Sequence, residues 1–213
     1  MTIGTDDHWH RYMNTRDYKQ FRPDTWFHVF NRGDNKELIC RDEQDYLNLI
    51  KRFKLLLGFQ VVIPGRIRLT EFPKNSFDIA SYCFMPNHFH LLIKQNTEIP
   101  IGKLISRACT SYARYFNKKY DRVGNLFQDT LKPKRVEDDE YLVYLSAYIH
   151  NNPQQQLIYP YSSFQDILGM RNGVLCNKEI ILKYFGNDSE RYKKFVLNFK
   201  ENDQEKIAHL LIQ

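Results

Sequence analysis

Cysteines and long apolar runs are scarce in this sequence. It has 4 cysteines among 213 residues, and no two of them form a Cys-x-x-Cys pair. This spacing excludes a dense disulfide framework and is typical of reduced thiols in a cytosolic protein. No stretch of about 18 apolar residues occurs, and Met1–Arg11 lack the hydrophobic segment of a signal peptide. We therefore expect a cytoplasmic protein with no membrane-spanning segment.

A His-hydrophobe-His run at residues 88–90 is the most informative local feature. Side chains of a strand alternate between its two faces, which places His88 and His90 on one face roughly 6.6 Å apart and Phe89 on the other. Such a pair can hold a metal ion, although most His-x-His pairs are ordinary strand residues. A turn at Met85-Pro86-Asn87 precedes this pair, and a suitable helix follows some fifty residues later.

That helix is indicated by residues 141–153, which follow an acidic run at residues 137–140. Acidic side chains favour a helix N-terminus, and Pro153 marks the expected end of the helix. Tyr148 and Asn152 are four residues apart, so a phenol and an amide project from the same helical face. Tyr141 and Tyr144 share that face and are alternative functional tyrosines.

Positive charge is concentrated between Ile101 and Val136. This segment carries a net charge of +7, whereas the whole chain carries +6. The pattern is typical of a surface that follows a phosphate backbone, and the alternative is a solvated outer helix face. Aromatic residues make up 15% of the chain and could stack on single-stranded bases. The basic residues are Lys103, Arg107, Arg114, Lys118, Lys119, Arg122, Lys132, Lys134 and Arg135.

The order of predicted elements indicates an α+β fold. Hydrophobic periodicity and turn residues predict a βαββαβ order followed by the tyrosine helix, which is the order of a ferredoxin-like (RRM-like) antiparallel sheet with helices packed on one face. Two further helical patterns, at about residues 178–185 and 190–199, form a C-terminal helical extension. The predicted strands cover residues 26–31, 77–84, 88–94 and 131–136, and the predicted crossover helices cover residues 42–57 and 101–120.

Taken together, these stretches resemble the REP-associated tyrosine transposases, a branch of the single-tyrosine HUH transposases. The resemblance covers residues 24–163, so that residues 1–23 form a polar arm and residues 164–213 the extension. Departures from the family pattern occur at Asp129-Thr130, at Gln154 and in the long link of residues 59–76. The matching stretches are residues 26–33, 82–93, 115–120, 124–128, 148–153 and 160–163.

The resemblance implies a metal-dependent single-stranded DNA endonuclease and strand transferase. By analogy, His88 and His90 ligate a divalent metal, Mg²⁺ or Mn²⁺, and Asn152 supplies a third ligand. Tyr148 is then the nucleophile that forms a 5′-phosphotyrosine at a hairpin-forming repeat. The expected partner is single-stranded or hairpin DNA, and the family includes both monomers and homodimers.

Two other functions fit the same residues. A non-catalytic module could bind single-stranded nucleic acid on the same sheet, although no Lys/Arg-Gly-Phe strand motif of that kind is present. A metal hydrolase could instead use water as the nucleophile and leave Tyr148 with a structural role. His28 lies in a predicted strand between Phe27 and Val29, and we interpret it as a structural residue.

Overall fold

The four-stranded antiparallel sheet has the ferredoxin-like order β2-β3-β1-β4. The computed structural model describes residues 22–62, 69–128 and 133–211, apart from the side chains of Glu201 and Leu210. The order of the strands confirms the predicted α+β fold. Most of the predicted N-terminal arm lies outside the described residues. The strands are β1 (Thr25–Arg32), β2 (Phe77–Phe84), β3 (His88–Gln95) and β4 (Lys134–Val136).

Two crossover helices, α1 (Glu43–Leu56) and α2 (Ile101–Lys119), pack against each other on one face of the sheet. Asp42 begins α1, because its carboxylate accepts a hydrogen bond from the Asp45 amide in a reciprocal capping box. From α1 the ring of Phe53 packs against Phe89 of β3. The strand residues that alternate with Phe89, which include both predicted ligand histidines, therefore face the other way.

Helix α3 (Asp139–His150) lies on that opposite face, against β2 and β3. The expectation of helices on one face thus holds for α1 and α2, and α3 is the exception. Its buried residues Leu142, Leu145 and Ile149 give it an apolar side that has to be covered. The Asp138 carboxylate caps its first turn, and the helix ends at His150, earlier than Pro153 predicts.

The C-terminal extension packs on the outer side of α3. The buried Tyr192 hydroxyl contacts the Ser146 hydroxyl at 3.0 Å and the Nδ1 of His150 at 2.7 Å. The amide of Asn151 donates to the carbonyl of Val196 at 2.8 Å. These buried bonds hold the C-terminal end of α3 in one position. The extension contains α4 (Phe164–Ile167), α5 (Glu179–Leu182), α6 (Ser189–Leu197) and α7 (Glu201–Lys206).

Both predicted helices of the extension are present, as α5 and α6, and two short helices add to them. All four cysteines are buried and free. Within the described ranges, no helix combines the length and apolar character that a membrane span requires.

Candidate active site

The candidate site is built on the sheet face that α3 covers. Strand β3 places His88 and His90 side by side, with their ring centroids 5.0 Å apart. The antiparallel pairing of β1 with β3 sets Phe30 opposite His90 and Arg32 opposite His88. Paired residues share a face of the sheet, so these four side chains form one surface.

The end of α3 brings the predicted phenol and amide to the same surface. Asn152 Oδ1 lies 3.2 Å from His88 Nε2, and the Tyr148 ring centroid lies 5.6 Å from that of His90. The Asn152 amide also donates to the Tyr148 carbonyl at 3.1 Å, which fixes the direction of its oxygen. All four predicted site residues therefore converge within a single chain.

The alternative tyrosines point elsewhere. Lys206 donates a hydrogen bond to the Tyr144 hydroxyl at 2.6 Å, and the Tyr141 ring packs against His209 at 4.8 Å. Both tyrosines thus face the C-terminal extension, whereas Tyr148 faces the histidines.

Both ring nitrogens of His88 contact amide oxygens, an arrangement that a bound cation would stabilise. Its Nδ1 lies 2.7 Å from Asn87 Oδ1, and its Nε2 lies 3.2 Å from Asn152 Oδ1. A neutral imidazole has only one N–H, so one ring nitrogen presents a lone pair to an amide oxygen. Two acceptors in contact repel each other, and a metal ion between them would turn both into ligands.

Burial keeps both histidines neutral and therefore able to ligate. It lowers the pKa of His88, and it lowers that of the fully buried His90 well below the usual value. No group of three or more His, Cys, Asp or Glu side chains within the described part of the chain could hold a metal ion. A third protein ligand at this pair would thus come from another residue type, such as the amide of Asn152. Two imidazoles and one amide oxygen are a donor set compatible with a divalent metal.

His28 belongs to the site, although its sequence context indicated a structural residue. Its Nε2 lies 2.9 Å from His90 Nδ1, and the two rings stack with centroids 5.1 Å apart. If His90 uses Nε2 as a ligand atom, its Nδ1–H donates to His28. Such an outer partner fixes both the tautomer and the ring orientation of a metal-ligating histidine. The signal in the sequence was weak, because it depends on the pairing of β1 with β3.

Tyr148 is half-buried, and its environment keeps the phenol protonated at neutral pH. Burial raises its pKa, and the hydrogen bond with Asn152 opposes that effect in part. A phenol in this state needs an activated phosphorus centre in order to act as a nucleophile.

Three of the predicted DNA-contacting residues are engaged within the protein. Lys119 Nζ pairs with Asp42 at 2.6 Å and with the fully buried Asp45 at 2.9 Å. Arg122 pairs with Glu37 at 2.7 Å, and Arg107 donates to the Thr70 carbonyl. Lys132 lies outside the described residues. The exposed residues of this set are Lys103, Arg114, Lys118, Lys134 and Arg135.

These exposed cations lie on different sides of the molecule. Lys103, Arg114 and Lys118 belong to α2, which covers the sheet face remote from the histidines. Lys134 pairs with His28 across β1 and β4, so that it borders the candidate site. Of the predicted DNA-contacting residues, strand β4 thus places Lys134 beside the histidine face, whereas the exposed cations of α2 lie on the other side of the sheet.

We predict a structural role for Lys119. Lys119→Gln should lower the free energy of unfolding by about 2 kcal/mol, because it leaves the buried Asp45 carboxylate without its ion-pair partner. The loss is moderated because the Tyr115 and Tyr120 hydroxyls still donate to Asp45. Urea denaturation followed by circular dichroism measures the effect.

The matched control is Lys118→Gln, which removes the same charge from an exposed neighbouring position. We expect its unfolding free energy to stay within about 0.5 kcal/mol of the parent value. Equal destabilisation by both substitutions would show that the ion pair with Asp45 contributes nothing specific.

Comparison with known proteins agrees with this geometry. Residues 69–152, which contain His88, His90, Tyr148 and Asn152, match the family model of IS200-like transposases. No curated protein matches the chain significantly.

The structural neighbours include a REP-associated tyrosine transposase bound to a REP hairpin. Its TM-score is 0.52 at 14% identity, over 70% of this chain and 82% of that one, which indicates a shared fold. The tRNA(His) guanylyltransferase from Saccharomyces cerevisiae aligns over 94% of this chain and 86% of that one at 11% identity, but its TM-score of 0.40 is too low to indicate a common fold. Residues 69–152 of this chain are therefore similar to the IS200-like transposases, and the chain shares its fold with a REP-associated tyrosine transposase.

Proposed function

We propose that this protein is a transposase, namely a metal-dependent single-stranded DNA endonuclease and strand transferase with Tyr148 as its nucleophile. The observation that carries the proposal is the convergence of Tyr148 and Asn152 on the histidine pair within one chain. These residues all lie inside the segment that matches the transposase family.

In this proposal His88, His90 and Asn152 hold Mg²⁺ or Mn²⁺. Zinc would more often take a third histidine, a cysteine or a carboxylate, and none of these joins the pair among the described residues. When bound, a divalent cation with open positions polarises a phosphodiester and favours attack on its phosphorus. The contact between His88 Nε2 and Asn152 Oδ1 supports the proposal, because a cation held there would be bound by both atoms.

The proposed chemistry is an exchange of phosphodiester bonds. The Tyr148 oxygen attacks phosphorus and loses its proton to solvent, while the bond from phosphorus to the 3′ oxygen breaks. The departing oxygen takes up a proton, so that the products are a 5′-phosphotyrosine and a free 3′-hydroxyl. Because one phosphoester replaces another, a second 3′-hydroxyl can reverse the step and join two strands without ATP.

Helix α3 supplies the positioning that this exchange requires. Its C-terminal end holds the phenol beside His90, and the Asn152 amide is fixed by its bond to the Tyr148 carbonyl. Groups held in reacting geometry before the substrate arrives avoid an entropic cost during the reaction. Since every proposed group comes from one chain, we propose a site that functions in cis and does not need a second subunit.

We propose hairpin-forming DNA with single-stranded flanks as the substrate. Support comes from the structural neighbour, which was solved with a REP hairpin. The exposed cations on α2 and β4 offer phosphate contacts on two sides of the domain.

An adduct assay tests the nucleophile. Protein incubated with Mn²⁺ and 5′-unlabelled, 3′-labelled hairpin oligonucleotides should retain the label through SDS electrophoresis, since the 5′ end of the labelled fragment is bound to tyrosine. Tyr148→Phe should abolish this adduct, because it removes the attacking oxygen.

Tyr144→Phe is the matched control and should leave adduct formation unchanged, because Tyr144 faces the extension. An adduct that persists in Tyr148→Phe would disprove the nucleophile. Hairpin binding without cleavage under any divalent metal would favour the non-catalytic module. Cleavage that persists in Tyr148→Phe without an adduct would favour a water nucleophile.

Removal of the His28 ring tests its positioning role. His28→Ala should weaken Mn²⁺ binding by about 10- to 100-fold in isothermal titration calorimetry, because His90 loses the acceptor that orients it. His28→Gln should restore much of this affinity, since its amide oxygen can accept the same N–H.

The matched control is His209→Ala. It removes an exposed imidazole that packs on Tyr141 and not on the histidine pair, so the Mn²⁺ affinity should stay unchanged. The positioning role fails if His28→Ala binds Mn²⁺ as tightly as the parent protein. It also fails if His28→Gln is as weak as His28→Ala.

A further inference from the structure

Arg32 lies at the end of β1, directly across the sheet from His88. Its side chain shares the face of His88 and His90, because paired strand residues point the same way. Hydrogen bonds of both its amide and its carbonyl hold the backbone of Arg32 in place. The Arg32 amide donates to Asn31 Oδ1 at 2.8 Å, and the Arg32 carbonyl accepts from the Gln128 amide at 2.9 Å.

The Arg32 guanidinium has an unusual lack of partners. Its Nε is buried and makes no hydrogen bond, and no carboxylate of the described residues forms an ion pair with it. Other arginines differ, since the half-buried Arg171 pairs with Asp166 and the buried Arg52 donates to Ser111 and Asn48. A buried donor without a partner destabilises a fold, so this unpaired Nε calls for an explanation.

The charge of this guanidinium reaches the site. Arg32 is the residue that pairs with His88 across β1 and β3, and Phe30 of the same strand pairs with His90. The groups proposed to act at the site are neutral, since His88 and His90 are uncharged imidazoles, Asn152 is an amide and Tyr148 is a phenol. Arg32 is thus a fixed cation beside a surface whose proposed substrate is an anion.

We propose that Arg32 is a phosphate-binding residue of the active site and that its guanidinium contacts the DNA phosphate next to His88. Arginine suits this role, because its planar fork binds two phosphate oxygens at once. The contact would satisfy the orphaned Nε and hold the phosphate against the face on which Tyr148 lies. This inference rests on the proposed function, in that the DNA strand has to cross the histidine face.

Scanning of single phosphates tests the contact without cleavage. Hairpin oligonucleotides with single-stranded flanks would each carry one neutral methylphosphonate, moved along the strand, and would be titrated with Tyr148→Phe protein by fluorescence anisotropy. One neutralised position should weaken binding about 10-fold. When Arg32→Gln is combined with Tyr148→Phe, binding of the unmodified strand should weaken to a similar extent. A methylphosphonate at the sensitive position should then weaken binding no further.

Salt dependence gives a second readout. Loss of one phosphate contact to a single strand should reduce the slope of log affinity against log salt by about 0.7. Arg191→Gln, on the exposed surface of α6, is the matched control and should change neither readout. Thermal melting of each variant separates a binding defect from unfolding, and Arg32→Lys should retain part of the affinity.

The outcomes distinguish this inference from the proposed function. One outcome is that adducts form at Tyr148, but each methylphosphonate weakens binding by the same factor whether or not Arg32→Gln is present. Arg32 then does not bind phosphate. If no adduct forms while one position still depends on Arg32, the phosphate contact stands and the endonuclease proposal fails.

Discussion

The packing of helix α3 against the histidine face is the constraint on which the candidate site depends. Burial of Leu142, Leu145 and Ile149 drives this packing. Hydrogen bonds of the buried Tyr192 hydroxyl and of the half-buried Asn151 amide then fix the position of the helix end. A displacement of about one turn, or 5.4 Å, would separate the phenol from the histidines. The C-terminal extension is therefore part of the machinery that positions the site, even though none of the extension residues that the structure describes enters it.

Charge is arranged in two layers around this site. The groups at its centre are neutral, because burial suppresses protonation of the histidines and ionisation of Tyr148. Positive charge lies at the border, on Arg32 and on Lys134 of β4. A neutral centre with free lone pairs can accept a metal ion, and a cationic border can accept a phosphodiester. Both properties are those that a strand-exchanging nuclease requires.

Local patterns predicted much of the fold and of the candidate site. The alternation of His88 with Phe89 and the four-residue spacing of Tyr148 and Asn152 depend only on strand and helix geometry. His28 and Arg32 could not be placed in this way, since their position depends on the pairing of β1 with β3 across some sixty residues. The charge of Lys119 was likewise visible in the sequence, but its partners Asp42 and Asp45 lie more than seventy residues away.

The central claim is that His88, His90 and Asn152 of one chain hold a single ion beside Tyr148. Anomalous diffraction from crystals of Tyr148→Phe protein with Mn²⁺ and a single-stranded oligonucleotide tests it most directly. The account predicts one manganese peak, bound by both imidazoles and the amide oxygen of the same molecule. A peak elsewhere, ligands drawn from two molecules, or an empty histidine pair at saturating Mn²⁺ would contradict it.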